Sequence, residues 1–176
     1  MQTVVFRILV LLAALCIASH GVSFAASSAV SPPPIILAKV LDPSVDPAHY
    51  LVSEKFDGAR AIWDGTTLRF RSGNVVNAPA WFIAKLPAQS LDGELWLARG
   101  KFETLSGYVR KTEPVDAEWR EIKYLIFELP GAAGSFEDRY RQIQAVVKQA
   151  NWPQLVAVEQ TRVTDRAALK RKFDAV

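Results

Sequence analysis

At 176 residues the chain suits one domain of ordinary size, or one domain preceded by a leader. Half of its residues are hydrophobic, a figure that the N-terminus inflates, and the net charge of +3 with a pI near 9.1 permits contact with a polyanion without requiring it. Cys16 is the only cysteine, and it falls in the expected leader, so disulfide scaffolds and cysteine metal centres are excluded for the mature chain.

The N-terminus reads as a secretory signal peptide, residues 1–25. Arg7 supplies the positive end, Ile8 to Ala18 form an apolar stretch too short for a comfortable membrane span, and Ser23-Phe24-Ala25 predicts cleavage after Ala25. A lipoprotein reading fails because Leu15, not a small residue, precedes Cys16. Export to a periplasm, without stable membrane association afterwards, is the expectation. Residues 26–34, small, polar and proline-rich, predict a disordered lead-in.

Strands are predicted over Tyr50–Phe56 and Ala59–Trp63, followed by an Asp64-Gly65 hairpin signal and a strand over Thr67–Arg71. Ser72-Gly73-Asn74 marks a turn and Pro79–Leu86 a short helix. Leu91–Leu97 contains an Asp92-Gly93 turn signal and then a short apolar strand. Lys101–Val109 is read as a helix that Gly107 weakens. Ile122–Glu128 is a strand stopped by Pro130-Gly131. Ser135 and Asp138 have capping-box spacing, and Phe136, Tyr140, Ile143, Val147 and Ala150 recur at helical spacing. A strand over Leu155–Glu159 and a helix over Thr164–Ala175 complete an α+β pattern built on antiparallel sheet.

Lys55-Phe56-Asp57-Gly58-Ala59-Arg60 concentrates the most chemistry. A lysine attacks phosphorus only as the neutral amine, so its surroundings must favour that form. Asp57, two residues on, shares a strand face with Lys55; Gly58 lets the backbone approach a ligand; Arg60 offers a planar fork to phosphate or carboxylate. Alone, the stretch reads equally well as a strand entering a tight turn with a salt-bridged Lys–Asp pair.

Three further segments follow in order: Arg69-Phe70-Arg71-Ser72-Gly73-Asn74, Leu91-Asp92-Gly93-Glu94-Leu95 and Tyr124-Leu125-Ile126-Phe127-Glu128-Leu129-Pro130. With the first, they resemble the covalent nucleotidyltransferase superfamily, specifically ATP-dependent DNA ligases of the small bacterial secreted type called ligase E. Phe102 to Arg110 looks like that subfamily too. The resemblance covers Ile35 to the end. It implies an antiparallel-sheet adenylation domain resembling the ATP-grasp-like catalytic domain of DNA ligases, here residues 35–176 as its N-terminal part.

By that resemblance Lys55 is the nucleophile that takes AMP from ATP as a phosphoramidate. Asp57 orients Lys55 or the reactive strand end, Arg60 contacts ribose or phosphate, and Ser53 reaches the adenine edge. Glu94 binds the ribose hydroxyls or helps hold Mg²⁺, Phe127 stacks on adenine, and Arg71 holds the 5′-phosphate of a nick. Nicked double-stranded DNA is the implied partner of a monomeric enzyme, and ATP is favoured over NAD because only about thirty residues separate the cleavage site from Lys55.

Each residue has a blander reading: Phe127 as core, Glu94 as a turn residue, Arg71 as a surface charge. Lys101, Arg110 and Lys111 read better as a solvated face than as phosphate contacts, and Lys170-Arg171-Lys172 as an exposed helix end. Glu128 stands where the family commonly has Asp, and His49 reads as a loop residue. The family's later Glu-Gly and Lys-x-Lys motifs and OB-fold domain do not follow, which predicts a truncated chain. The competing functions are a non-catalytic nucleotide- or DNA-binding remnant and another nucleotidyltransferase such as an RNA ligase. The ligase reading requires Lys55, Glu94 and Phe127 to converge on one cleft.

Overall fold

The structure, a computed structural model, describes residues 35–176. The expected leader and lead-in, residues 1–25 and 26–34, lie outside the described residues. A 3-10 turn over Pro47–His49 precedes β1 (Leu51–Val52), and β2 (Ala59–Trp63) and β3 (Leu68–Phe70) form a hairpin. Asp64 makes that hairpin's turn by accepting the Thr66 and Thr67 amides at 2.9 and 2.7 Å, while Gly65 takes the positive φ of 99° the turn needs. Then come α1 (Ala80–Ile83), β4 (Leu91–Trp96), α2 (Phe102–Val109), α3 (Asp116–Trp119), β5 (Lys123–Glu128), α4 (Phe136–Ala150), β6 (Leu155–Ala157), β7 (Thr161–Arg162) and α5 (Arg166–Asp174).

Five strands make the main sheet in the order β3-β2-β4-β5-β6, antiparallel except for the β5/β6 pair, which is parallel. A parallel pair needs a long crossover, and α4 supplies it. A two-stranded sheet pairs β1 with β7, Leu51 opposite Arg162.

Side chains alternate across a strand, and here the alternation sorts two kinds of surface. Ala61, Trp63, Leu91, Leu95, Tyr124 and Ile126 point into a core shared with Phe82, Leu105, Trp119 and Ile143 of the helices. The Tyr124 hydroxyl is buried there but satisfied, donating to the Ala61 carbonyl at 2.8 Å. The residues between them, Arg60, Asp92, Glu94, Leu125 and Phe127, therefore share the opposite face, with Arg60 registered against Glu94 and Glu94 against Leu125.

Asp92-Gly93 is not a turn. Both residues lie inside β4, at a bulge where Asp92 faces Glu128 and Gly93 faces Ile126, leaving Phe127 without a partner on β4. Gly93 is required for packing: a Cβ there would strike the Leu125 carbonyl and lie 2.9 Å from the Tyr124 ring. The strand expected over Tyr50–Phe56 shrinks to Leu51–Val52, and Lys55 and Asp57 follow it in backbone that belongs to neither sheet. The 3-10 turn, α3 and β7 are additional elements, each too short to show a period. The remaining elements fall where expected. Gly107 is accommodated in α2 on an open side, with nothing within 4 Å of an added Cβ.

Candidate active site

Lys55 sits on a stretch outside both sheets that is held at both ends. Upstream, β1 is clamped by β7. Downstream, Phe56 packs edge-on against Trp96 at 5.4 Å between ring centroids, and Gly58 lies so close to β4 that a Cβ would strike the Leu95 carbonyl. Glu54 is held by Arg99 at 2.8 Å. Exposure alternates along this stretch: Ser53, Lys55 and Asp57 are exposed, whereas Glu54 and Phe56 are half-buried. The expected common side for Lys55 and Asp57 is thus met without strand pairing.

Beneath this loop lies Glu94. Burial pushes its carboxyl from an ordinary value of 4.5 up to about 7, against the Gly58 amide and the nearby charges of Lys55 and Arg60, which pull it down. Asp92, two residues earlier on the same face, adds to the rise. Arg60 grips Asp92 in bidentate fashion, Nε to Oδ1 at 3.0 Å and Nη2 to Oδ2 at 2.6 Å. The same Nη2 donates to the Ile36 carbonyl at 2.9 Å, and the guanidinium lies 5.2 Å from the centroid of the half-exposed Phe127 ring. Asp92 is only 1% exposed, so this pair is the anchor of the face.

Lys55 and Arg60 therefore flank Glu94, and Arg60 lies against Phe127. The Phe70–Asn74 turn places Arg71 beside Arg60: its amide donates to the Arg60 carbonyl at 3.3 Å, and both residues line a cleft of about 620 Å³ whose lining does not include Lys55, Glu94 or Phe127, so the expected convergence of those three on one cleft is not met there. Ser53 and Asp57 flank Lys55 on the exposed side of its loop.

Both Asp92 oxygens are taken by Arg60, which leaves Glu94 as the carboxylate of this face able to reach a cation. No group of three or more His, Cys, Asp or Glu side chains among the described residues is arranged to hold a metal. That donor set fits Mg²⁺ bound through one carboxylate together with phosphate oxygens and water.

The chain is 32% identical over 120 residues to a DNA ligase of Haemophilus influenzae, covering 68% of this chain and 44% of the relative. A solved structure of a Lig E DNA ligase superposes on it with a TM-score of 0.70 at 37% identity, covering 76% of this chain and 52% of that one. The chain belongs to the DNA ligase family. It spans about half the length of the relatives it matches. A Chlorella virus DNA ligase-adenylate shares the fold at 14% identity, with a TM-score of 0.57 over 69% of this chain and 47% of that one. No family model matches.

Two partnerships of this ligase chain escape sequence reasoning. Asp92, read as a turn residue, is the partner of Arg60, thirty-two positions away. Glu128 is 8% exposed and binds Arg139 of α4 through both oxygens, at 2.7 and 2.8 Å, while Oε1 also accepts the Leu129 amide. Its longer side chain reaches across to α4, so its role is to tie strand to helix. Alternation along β4 was the available signal for Asp92: it lies two residues from Glu94 and so on the same face.

Proposed function

We propose that this chain carries the adenylation chemistry of an ATP-dependent DNA ligase acting on nicked duplex DNA. The observation that supports the reading is the grouping of Lys55 and Arg60 around the buried Glu94 carboxyl, with Phe127 against the Arg60 guanidinium. Lys55 as neutral amine attacks the α-phosphorus of ATP. A P–N bond forms, the P–O bond to pyrophosphate breaks, and the lysine gives up its proton. Glu94, at about 7, stands beside Lys55 as a group able to hold or release a proton near neutrality.

Phe127, against the Arg60 guanidinium, would stack on adenine, and by the family resemblance Ser53 would reach the base edge. Arg60, with its Nη1 outside the bonds to Asp92 and Ile36, would reach the ribose or phosphate. Asp57 would orient the amine or the strand end, and Arg71 the 5′-phosphate of the nick. Mg²⁺ at Glu94 would neutralise charge as pyrophosphate leaves. The enzyme is a monomer exported to the periplasm, a reading supported by the leader; no helix among the described residues is long and apolar enough to cross a membrane. Its sealing of nicks would serve DNA repair, replication or recombination.

The test is incubation of the purified chain with α-labelled ATP and Mg²⁺. Acid-labile label should appear on the protein and vanish in Lys55→Ala. Label that survives in Lys55→Ala, or no label at all, overturns the reading; in the second case the competing non-catalytic remnant takes its place.

A further inference from the structure

The Lys55 stretch runs beside β4 without joining it, and its half-buried residues meet β4 and the turn that follows. The Gly58 amide binds the Glu94 carboxyl, Phe56 packs edge-on against Trp96, and Glu54 pairs with Arg99. Glu54, Phe56 and Gly58 thus meet Arg99, Trp96 and Glu94 in turn. This is the antiparallel order that β2 and β4 carry on as Ala59 opposite Leu95. Ser53, Lys55 and Asp57 alternate with the held residues and stay exposed.

The three contacts differ in kind. Glu94 and Trp96 belong to a strand that the sheet already fixes. Arg99 lies in the turn after β4, which the Lys101 amide closes on the Ala98 carbonyl at 3.2 Å. Its Nη2 crosses forty-five positions of sequence to donate to Glu54 at 2.8 Å, and its Nη1 donates to the Val176 carbonyl at 3.0 Å. Glu54 adjoins Lys55, so this pair grips the stretch one residue from the amine. With side chains 58% and 22% exposed, the pair adds little to global stability. Rate is another matter, because a reacting group displaced by about an ångström can react about a hundredfold more slowly.

We propose that Arg99 is a positioning residue that fixes Lys55, through Glu54, against β4. Its bearing on catalysis rests on the adenylation reading above; the anchoring itself is read from the contacts. The test follows the rate of Lys55 labelling against ATP concentration, with amide hydrogen exchange over residues 53–58 measured on the same proteins. Arg99→Met should lower the saturating rate roughly 10- to 100-fold. It should leave the half-saturating ATP concentration unchanged and quicken exchange over the stretch. Arg99→Lys, which keeps a cation within reach of Glu54, should recover much of the rate. Glu54→Gln should reproduce the loss with Arg99 intact, and the double variant should be no slower than either single one. Arg141→Met breaks a comparably exposed pair on α4 and should label at the parent's rate. Thermal melts should match throughout.

A parent-like saturating rate in either Arg99→Met or Glu54→Gln overturns the proposal. So does a change confined to the half-saturating ATP concentration, which would place Arg99 in nucleotide binding, and so do losses that add in the double variant. A parent chain that takes no label sinks the adenylation reading, and hydrogen exchange then decides the anchoring alone. Faster exchange over residues 53–58 in Arg99→Met supports it, and unchanged exchange overturns it.

Discussion

Glu94 is desolvated beside an amine and a guanidinium, and its carboxyl sits near 7. In the unfolded chain the same group titrates near its ordinary 4.5, so between these values the folded state binds more protons. The protonated carboxyl favours folding at low pH, and that contribution is lost as pH rises through about 7. Glu94→Gln keeps the shape and removes the titration. Its melting temperature should therefore fall less between pH 5 and pH 8 than the parent's, and it should exceed the parent's at pH 8. Parallel melting curves for the two proteins across that range would refute the assignment. Arg60 is the companion case. A bidentate bond to a carboxylate only 1% exposed sets its position before any ligand arrives. Its pairing with Asp92 was hidden because the two residues are far apart in sequence and Asp-Gly, taken locally, reads as a turn.

Among the elements, α4 was the most legible, because everything that makes it is local. Ser135 and Asp138 cap each other reciprocally, the apolar residues recur at helical spacing, and Asn151 ends the helix in the left-handed region at φ 44°. What α4 does could not be read locally, since Glu128 and Arg139 meet only when β5 and the helix pack. Arg139→Met should leave Glu128 buried without its partner and cost about 3 kcal/mol, read from urea denaturation. The double change Glu128→Leu with Arg139→Met should recover most of that loss. A single variant as stable as the parent would show that the pair contributes no cohesion. β4 shows the opposite case. Its bulge and its glycine exist to admit the Tyr124 ring and the Leu125 carbonyl, requirements set by β5. Lys55, Glu94 and Phe127 were legible as a set only through the resemblance of their motifs, since none announces itself by periodicity.

For the whole molecule, the five-stranded sheet works as a partition. One face is packed by helices, and the other carries the charged and aromatic groups around Lys55. The Lys55 stretch belongs to neither sheet and depends on β1/β7 pairing at one end and on Phe56 and Gly58 at the other. Thr161→Pro should disturb that pairing without touching the core. Labelling of Lys55 should then slow by roughly 10- to 100-fold, the cost of a misplaced reacting group, while the urea midpoint stays near the parent's. A variant that labels at the parent's rate would show that β7 is not needed to hold the nucleophile.

The same two-stranded pairing joins residues more than a hundred positions apart, whereas β2 and β3 are joined by a tight turn and β4 pairs with residues of β2 and β5 fewer than forty positions away. Closing a long loop costs entropy before its contacts repay it, so local pairings form first. During synthesis the main sheet can assemble while β1 still waits for a partner that has not been made. The chain would thus acquire its core early and its reactive lysine late, so that folding itself delays the moment at which the amine is set in place.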